Sequence, residues 1–193
     1  MNYALRADTI RVNGTYKFSY LLKGFLFTRT FRPIITLRLC QSSGGRRLYL
    51  PVHLICRMLH RYACSKAGID LSWKTSIGYG FILTHGWGTV ISPHANIGNN
   101  VTIFNGALIG AHIKTIEGKQ VIKSPKIEDQ VWIGANAVVV GDVVVGKGSR
   151  ILAGSFVAES IPPGSVVKGN PSKIIRGNCT ADCFNRVDEK ALR

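Results

Sequence analysis

The stretch of sequence that decides the fold is IEDQVWIGANAVVVGDVVVGKGSRILAGSFV, residues 127–157. A branched apolar residue recurs at every sixth position of this stretch, and glycine or another small residue commonly follows it. The series is Ile127, Ile133, Val139, Val145, Ile151 and Val157, and an earlier series is Ile91, Ile97, Ile103 and Ile109. An α-helix turns by about 600° over six residues, so it would scatter these side chains over its whole surface. The period therefore argues against helices in this part of the chain.

Short strands joined by corners at fixed intervals explain the six-residue period. Three such strands form one triangular coil, and stacked coils bring the branched residues into one interior column. Stacking also pairs the backbone groups of neighbouring coils, and glycine after a corner residue supplies the freedom that the turn needs. The sequence therefore predicts a mainly β protein in which residues 69–177 form a parallel β-helix. A β-sandwich with accidental spacing is the alternative, and ten positions in phase argue against it.

Three interruptions divide the repeat. The spacing is two residues too long near residues 85–88, and the polar stretch 111–125 predicts a loop that leaves the coil. The prolines and glycine of residues 161–164 predict the end of the repeat, and residues 178–193 then form a C-terminal tail. Functional residues tend to lie where a regular scaffold is interrupted.

The N-terminal region, residues 1–68, lacks the six-residue repeat, and its pattern predicts two to four amphipathic helices. Apolar residues recur there at helical spacing, first from Phe18 to Leu26 and again from Leu50 to Leu59. The Ser42–Gly45 cluster predicts a loop between two of the helices.

Positive charge is concentrated in this N-terminal region. Residues 1–70 hold 12 Lys and Arg against 2 Asp and Glu, a net charge of +10, whereas the rest of the chain holds 13 against 8, a net charge of +5. Such asymmetry indicates an anionic partner, and a membrane surface, a nucleic acid and a phosphorylated ligand all remain open. The absence of a nucleic-acid-binding motif disfavours the second.

Composition also bears on the compartment. The most apolar stretch, Leu48–Leu59, contains His53 and Arg57 and is shorter than the roughly 20 residues of a spanning helix, so no transmembrane segment is expected. Five cysteines without the spacing of a secreted scaffold, and no cleavable signal peptide, predict a cytoplasmic protein.

Several motifs resemble those of the hexapeptide-repeat acyltransferases, in particular the serine acetyltransferase branch and its polysaccharide-modifying relatives. The resemblance covers about residues 68–177. Its landmarks are Gly68-Ile-Asp70, the run Gly78–Gly88, Ile133–Ala137, Ala153-Gly-Ser155 and Gly169–Lys173. The resemblance implies that the β-helix is left-handed, that the chain forms a homotrimer, and that acetyl-CoA is the co-substrate; whether two trimers pair into a hexamer stays open.

The same resemblance implies a catalytic pair. A histidine at the position of His85 acts as the base that removes a proton from the acceptor hydroxyl, and an aspartate fifteen residues earlier, here Asp70, orients it. A hydroxyl is a poor nucleophile until a neutral imidazole takes its proton. A carboxylate on the other ring nitrogen fixes the tautomer. A structural histidine at the bend and a capping aspartate are the alternatives.

Donor binding is implied for two groups of residues. Small residues would let the pantetheine arm approach the backbone in a groove between subunits, namely Gly110, Ala111, Gly134, Ala135, Gly154 and Ser155. Basic residues near the end of the repeat, Lys168, Lys173 and Arg176, would contact the CoA phosphates, although they could equally form a solvated basic face. No metal is expected.

The acceptor is harder to assign, because the chain departs from the family pattern at two places. Serine acetyltransferases carry Asp before the catalytic histidine and an Arg-His pair further on, whereas this chain has Thr84 and Lys123-Ser124. An amino acid would then lose its charge partners. Trp87 and Asn105, with Thr84, could instead contact a neutral sugar. The sequence therefore predicts acetylation of a saccharide in cell-surface polysaccharide biosynthesis, and serine O-acetylation is the alternative.

Two further functions, a zinc enzyme and a non-catalytic protein, are also compatible with the sequence. Some β-helices hold zinc through histidines, as in γ-type carbonic anhydrases, and His94 and His112 lie one nominal coil apart with His85 near them. The second alternative is a β-helix scaffold without catalytic activity.

The basic N-terminal helices could contact an anionic membrane at the cytoplasmic face, or they could simply cap the open end of the coil.

Overall fold

The computed structural model describes residues 3–44, 50–116, 119–179 and 183–188. Its helices all precede residue 68, as predicted: α1 (Tyr3–Asn13), α2 (Phe18–Phe27), α3 (Phe31–Ser43) and α4 (Leu50–Ala67). The predicted loop at Ser42–Gly45 starts too early, because Ser42 and Ser43 still belong to α3. Their hydroxyls donate to the carbonyls of Arg38 and Leu39, which keeps both residues in the last helical turn. Gly45 lies outside the described residues.

Short strands follow the helices. Their bounds are β1 Asp70–Leu71, β2 Ser76–Ile77, β3 Ile82–Thr84, β4 Val90–Ile91, β5 Asn96–Ile97, β6 Thr102–Phe104, β7 Leu108–Gly110, β8 His112–Ile116, β9 Lys119–Lys123, β10 Lys126–Ile127, β11 Trp132–Ile133, β12 Val138–Val140, β13 Val144–Val145, β14 Arg150–Ile151, β15 Phe156–Val157, β16 Val166–Lys168 and β17 Lys173–Arg176. They form three parallel faces, ordered β1-β4-β7-β12-β15, β2-β5-β10-β13 and β3-β6-β11-β14-β16. The predicted left-handed parallel β-helix is confirmed.

The register of the faces explains each spacing seen in the sequence. Ile127 pairs with Val145, which lies three six-residue repeats, and therefore one complete coil, further along the chain. Leu83 pairs with Ile103, a separation two positions longer than one coil, so the first coil carries two extra residues at the predicted bend. Ile97 pairs with Ile127, a separation twelve positions longer than one coil, because additional residues leave the coil there.

Those additional residues form a hairpin rather than an irregular loop. Strands β8 and β9 pair antiparallel, with His112 opposite Lys123 and Lys114 opposite Val121. The predicted excursion at 111–125 is therefore present, and residues 117–118 lie outside the described residues.

The repeat continues past the predicted end at 161–164. Ile161 still bridges Val145 in parallel, and β16 pairs in parallel with β14, with Val167 opposite Ile151. This coil is two residues short, since 167 and 151 differ by 16. Pro162 and Pro163 lie in a turn, where their missing N–H groups break no strand pairing. The chain reverses only at β17, which is antiparallel to β16.

The branched residues at the six-residue positions form one interior column, as predicted. Ile103, Ile109, Ile133, Val139 and Ile151 have no accessible surface. The core continues into α3, where eight of the thirteen residues are buried, and α3 contacts each of the other three helices. Among the described residues, no helix is long and apolar enough to cross a membrane.

A buried histidine joins α4 to the first coil. The Nε2 of His60 lies 2.8 Å from the carbonyl of Leu71, and Nδ1 lies 2.9 Å from the hydroxyl of Thr36 on α3. The carbonyl can only accept, so Nε2 carries the proton and Nδ1 accepts from Thr36 in the neutral ring. Burial lowers the pKa of His60 below its ordinary value of 6.5, and the ring stays neutral in the folded protein.

We expect stability to fall as the pH drops below about 6.5, because the unfolded chain then protonates His60 while the folded protein resists protonation. Above pH 6.5 the ring is neutral in both states and contributes no pH dependence. Urea unfolding of the wild type and of His60→Gln between pH 7.5 and 5.5 measures the effect. Glutamine can still donate to Leu71 but does not titrate, so its urea midpoint should fall less. Equal slopes in the two proteins would contradict the assignment.

Candidate functional site

His85 lies directly after β3, at the bend where the first coil carries its two extra residues. Its backbone φ is +59°, a conformation that few residues other than glycine, Asn and Asp adopt readily. Two tight hydrogen bonds hold this bend: the N–H of Gly86 donates to Thr84 (2.7 Å) and the N–H of Trp87 donates to His85 (2.6 Å). The imidazole is exposed to solvent. Strain held at an exposed, chemically capable side chain is typical of functional sites.

Arg29, in the connection between α2 and α3, forms hydrogen bonds that hold the bend. Its Nη2 donates to the carbonyl of His85 and its Nη1 to the carbonyl of Ala67, both at 2.6 Å. Its guanidinium also stacks 5.0 Å from the ring centre of Trp87. Arg29 therefore positions the turn that presents His85. The sequence analysis did not identify Arg29, because in the sequence it is one of many positively charged residues in the N-terminal region.

Trp87 is 61% exposed and packs its ring edge against Gly68. A Cβ at Gly68 would lie 2.9 Å from the indole, and the backbone there has a φ of +66°, so glycine is required on both grounds. Asn105 follows β6 and is half-buried, and its carbonyl accepts the N–H of Asn136 at 2.9 Å. Both remain predicted acceptor contacts.

Asp70 opens β1, with its side chain on the outer surface. The bend closes the first coil and lies beside β1, because the N–H of Gly88 donates to Gly68 and the N–H of Asp70 donates to Thr89. In the described part of the chain no hydrogen bond or ion pair joins the carboxylate to the imidazole of His85. The orienting role of Asp70 therefore stays a prediction.

A second histidine, His60, lies near a thiol but does not form a nucleophilic pair with it. The Sγ of Cys64 is 3.6 Å from the Nε2 of His60. Burial raises the pKa of Cys64 to about 12, and the nearby Asp70 carboxylate contributes to the rise. That nitrogen of His60 is committed to the carbonyl of Leu71, and the thiol of Cys64 itself donates to the same carbonyl at 3.7 Å, so no base takes its proton. Cys64 thus remains a protonated, unreactive thiol.

The small residues predicted to bind the donor have mixed surroundings. A Cβ at Gly134 would lie 2.6 Å from the backbone nitrogen of Ala153, so coil stacking alone requires glycine there. Ser155 is buried and accepts the N–H of Gly169 within the coil. Gly154, by contrast, faces open space. Donor binding by Gly110, Ala111, Gly134, Ala135, Gly154 and Ser155 stays a prediction.

The three basic residues predicted to contact the CoA phosphates lie on one hairpin. Lys168 of β16 is opposite Lys173 of β17, and Arg176 is opposite Val166 on the same pair of strands. All three side chains are exposed. Like charges at opposite positions of a hairpin repel each other unless an anion lies between them. The arrangement fits a phosphate-binding surface.

A zinc centre finds no support in this geometry. Over residues 3–44, 50–116, 119–179 and 183–188, no three His, Cys, Asp or Glu side chains lie close enough to hold a metal ion. His94 is in the turn after β4 and His112 opens β8 on the hairpin, and both are exposed.

The chain is similar to a family of bacterial transferases and to several serine acetyltransferases. The family Bacterial transferase hexapeptide (six repeats) matches residues 124–159. Serine acetyltransferase of Bacillus subtilis is 36% identical over 132 residues, which are 68% of this chain and 57% of that protein. Serine acetyltransferase of Helicobacter pylori strain J99 is 34% identical over 136 residues, which are 70% of this chain and 75% of that protein.

A solved structure extends the similarity to the fold. Serine acetyltransferase of Brucella abortus in complex with coenzyme A has a TM-score of 0.71 and 30% identity, and the match covers 92% of this chain and 69% of that one. The chain spans only 57% of the length of the Bacillus subtilis relative.

The prediction of a saccharide acceptor in polysaccharide biosynthesis is wrong. The relatives and the solved structure named above are serine acetyltransferases, which favours the serine alternative. The prediction depended on Thr84 and on Lys123-Ser124, where charged partners of an amino acid were expected. Two local substitutions do not exclude an amino acid, because the compensating charge can come from a residue distant in sequence.

Proposed function

Because the chain belongs to the serine acetyltransferase family of hexapeptide-repeat transferases, we propose that it transfers the acetyl group of acetyl-CoA to the hydroxyl of L-serine. The observation that carries this proposal is the exposed imidazole of His85, held in a left-handed bend between two coils. The bend is tied to the helices through Arg29, so the ring is presented from a rigid support.

In the proposed reaction one nitrogen of the neutral His85 ring accepts the proton of the serine hydroxyl. The oxygen attacks the thioester carbonyl, and a tetrahedral intermediate forms. When the carbon–sulfur bond breaks, the imidazolium returns its proton to the departing thiolate. The products are O-acetylserine and CoA. Asp70, in β1 at the start of the same coil, would hold the ring in the correct tautomer during both proton transfers.

Acetyl-CoA is proposed to bind with its phosphates on the β16–β17 hairpin. Lys168, Lys173 and Arg176 supply positive charge there with no acidic residue on either strand. The hairpin lies at the last coils and His85 at the first, so a long, extended donor would run along the prism. The resemblance implies that a second subunit forms the other wall of this groove, and we therefore propose a homotrimer.

The proposed function is tested by following CoA thiol release from acetyl-CoA with L-serine, D-serine, L-alanine and a panel of sugars as acceptors. We expect release with L-serine and none with L-alanine, because alanine offers no hydroxyl. O-acetylserine should be identified in the mixture by mass. The proposal would be rejected if no amino acid supports release of CoA, or if L-alanine supports as much release as L-serine.

The location of the reaction is also a proposal. All five cysteines are free, which fits a reducing cytoplasm. A peripheral contact with an anionic membrane is supported by the outward surface of α4, where Leu54, Met58 and Tyr62 are 47–73% exposed. Arg57 and Arg61 lie on the same helix, and basic residues on an apolar helix surface favour anionic lipid.

A further inference from the structure

The thiol of Cys183 lies beside a buried cation. Its Sγ donates to the carbonyl oxygen of Asn100 at 3.5 Å, and the same oxygen accepts from Nη2 of Arg11 at 3.4 Å. One shared acceptor therefore brings the sulfur of the C-terminal segment and the guanidinium of α1 together on the coil. Cys183 is half-buried, so the residue keeps contact with solvent.

The guanidinium of Arg11 is buried among neutral hydrogen-bond acceptors. The residue is 0% exposed, and it also donates to the carbonyl of Gly80 at 3.1 Å and to the hydroxyl of Thr102 at 2.9 Å. In the part of the chain that the structure describes, no salt bridge joins Arg11 to an acidic side chain, and Asp8 of the same helix pairs with Arg38. A buried cation is costly unless a negative charge compensates it.

A thiolate at Cys183 would supply that negative charge. Burial lowers the pKa of Arg11, and the charge of Cys183 is the largest factor that opposes the fall. The attraction is mutual, because a thiolate that stabilises the cation is stabilised by it in turn. Arg186 and Asp188, the other charged residues of the described segment 183–188, pair with each other at 3.1 Å.

The other cysteines provide a comparison for this thiol. Burial raises the pKa of Cys40 to about 11 and that of Cys64 to about 12, so both stay protonated at neutral pH. Cys179 is half-buried like Cys183, but its Sγ donates to the carbonyl of Gly177 rather than to an oxygen that also binds an arginine. Reactive cysteines combine partial exposure with a neighbouring positive charge, and Cys183 has both.

We propose that Cys183 is a modification site, at which Arg11 holds the sulfur as a thiolate that reacts with small electrophiles such as hydrogen peroxide. The thiolate attacks one peroxide oxygen, a sulfur–oxygen bond forms, and the oxygen–oxygen bond breaks. Hydroxide leaves and takes a proton from solvent, so the sulfur is oxidised to a sulfenic acid and the peroxide is reduced to water. The reaction involves neither acetyl-CoA nor serine.

Alkylation by iodoacetamide at pH 7 tests this assignment in the full chain. Trypsin should release residues 177–186 as one peptide that contains both Cys179 and Cys183, and tandem mass spectrometry then distinguishes the two thiols. We expect Cys183 to react about tenfold or more faster than Cys179, because an ordinary thiol is only a few per cent ionised at this pH. The advantage should disappear at pH 10, where both thiols are ionised.

Variants of α1 test whether the guanidinium is the cause. Arg11→Met should remove the advantage of Cys183 at pH 7, whereas Arg11→Lys, which keeps the positive charge, should retain part of it. Arg6→Met is the matched control, because it removes a cation of the same helix that stacks on Tyr16, and it should leave both rates unchanged. The Arg11 variants must retain the circular dichroism of the wild type; if they do not, the comparison of the two thiols at pH 7 and pH 10 decides.

Oxidation is tested with dimedone, which reacts with sulfenic acids. After brief exposure to hydrogen peroxide, dimedone should label Cys183 and leave Cys179 unlabelled, and Cys183→Ser should abolish the labelling of the peptide. Equal alkylation of the two thiols at pH 7, a folded Arg11→Met variant with the wild-type ratio of rates, or absence of dimedone from Cys183 would overturn the proposal. Because none of these measurements requires acetyl transfer, their outcome is independent of the proposed function.

Discussion

Replacing His85 by asparagine is expected to lower kcat about 100-fold or more while leaving the KM for acetyl-CoA unchanged. The imidazole is the group proposed to take the hydroxyl proton, and removing it leaves proton transfer to water. The donor is bound by other residues, so its affinity should persist. Initial rates of CoA release at saturating serine, with acetyl-CoA varied, measure both quantities.

Asparagine is the better substitution here because of the backbone. His85 has a φ of +59°, where a β-carbon is strained and asparagine is tolerated better than alanine. His85→Asn therefore removes the base with little change in the bend, and His85→Ala adds a strain contribution that would confuse the result. If His85→Ala loses far more activity than His85→Asn, the bend itself matters as well as the ring.

The matched control is His94→Asn, which removes an exposed imidazole from a turn on the neighbouring coil. Its kcat should equal that of the wild type, because His94 contacts no proposed substrate. A His85→Asn enzyme with wild-type turnover would exclude His85 as the base. It would leave the fold and the family unchanged, since neither depends on this ring.

The coil could be predicted from sequence because its determinants are local and repeated. Each Ile or Val of the column meets the same surroundings once per coil, so one rule applies along the whole prism. The departures from that rule were also visible, as two extra positions near His85 and twelve in the β8–β9 hairpin. The position of the bend followed from counting alone.

The supporting arginines could not be predicted in this way. Arg29 reaches the carbonyl of His85, 56 residues on, and Arg11 reaches Gly80, 69 residues on. Nothing in a basic, helical sequence distinguishes these two from Lys17, Lys23 or Arg32. Their partners are set by how the helices dock on the coil, which is long-range packing without a period. The acceptor was wrongly predicted for the same reason. The prediction used only residues close together in sequence, whereas distant residues can also contact an acceptor.

The C-terminal segment was likewise underestimated. Residues 178–193 were expected to be a tail, yet Val187 is buried and its N–H donates to the side chain of Asn100 at 3.0 Å. Asn100 returns the bond to the carbonyl of Val187 at 2.9 Å. This reciprocal pair attaches the C-terminal segment to the coil.

A second large effect is expected at the ion pair that attaches the helices to the coil. Arg38 of α3 contacts Asp8 of α1 through Nε at 2.8 Å, and both side chains are at most 2% exposed. Its Nη1 and Nη2 donate to the carbonyls of Ile77 and Gly78 at 2.8 and 2.6 Å, while Asp8 accepts the N–H of Phe81. Burial raises the pKa of Asp8, and the charge of Arg38 opposes that rise. Two helices and one coil thus share a single network.

Arg38→Met should lower the free energy of unfolding by about 3–5 kcal/mol, because it leaves a buried carboxylate without its cation and two buried carbonyls without donors. Arg32→Met on the same helix is the control and should cost about 1 kcal/mol, since Arg32 has no buried anionic partner. Adding Asp8→Asn to Arg38→Met should restore part of the loss, because asparagine removes the uncompensated charge and still accepts from Phe81. Urea unfolding followed by circular dichroism measures all three. A double variant less stable than Arg38→Met would show that the carboxylate contributes by itself, and the pair would then not be the unit that holds the helices in place.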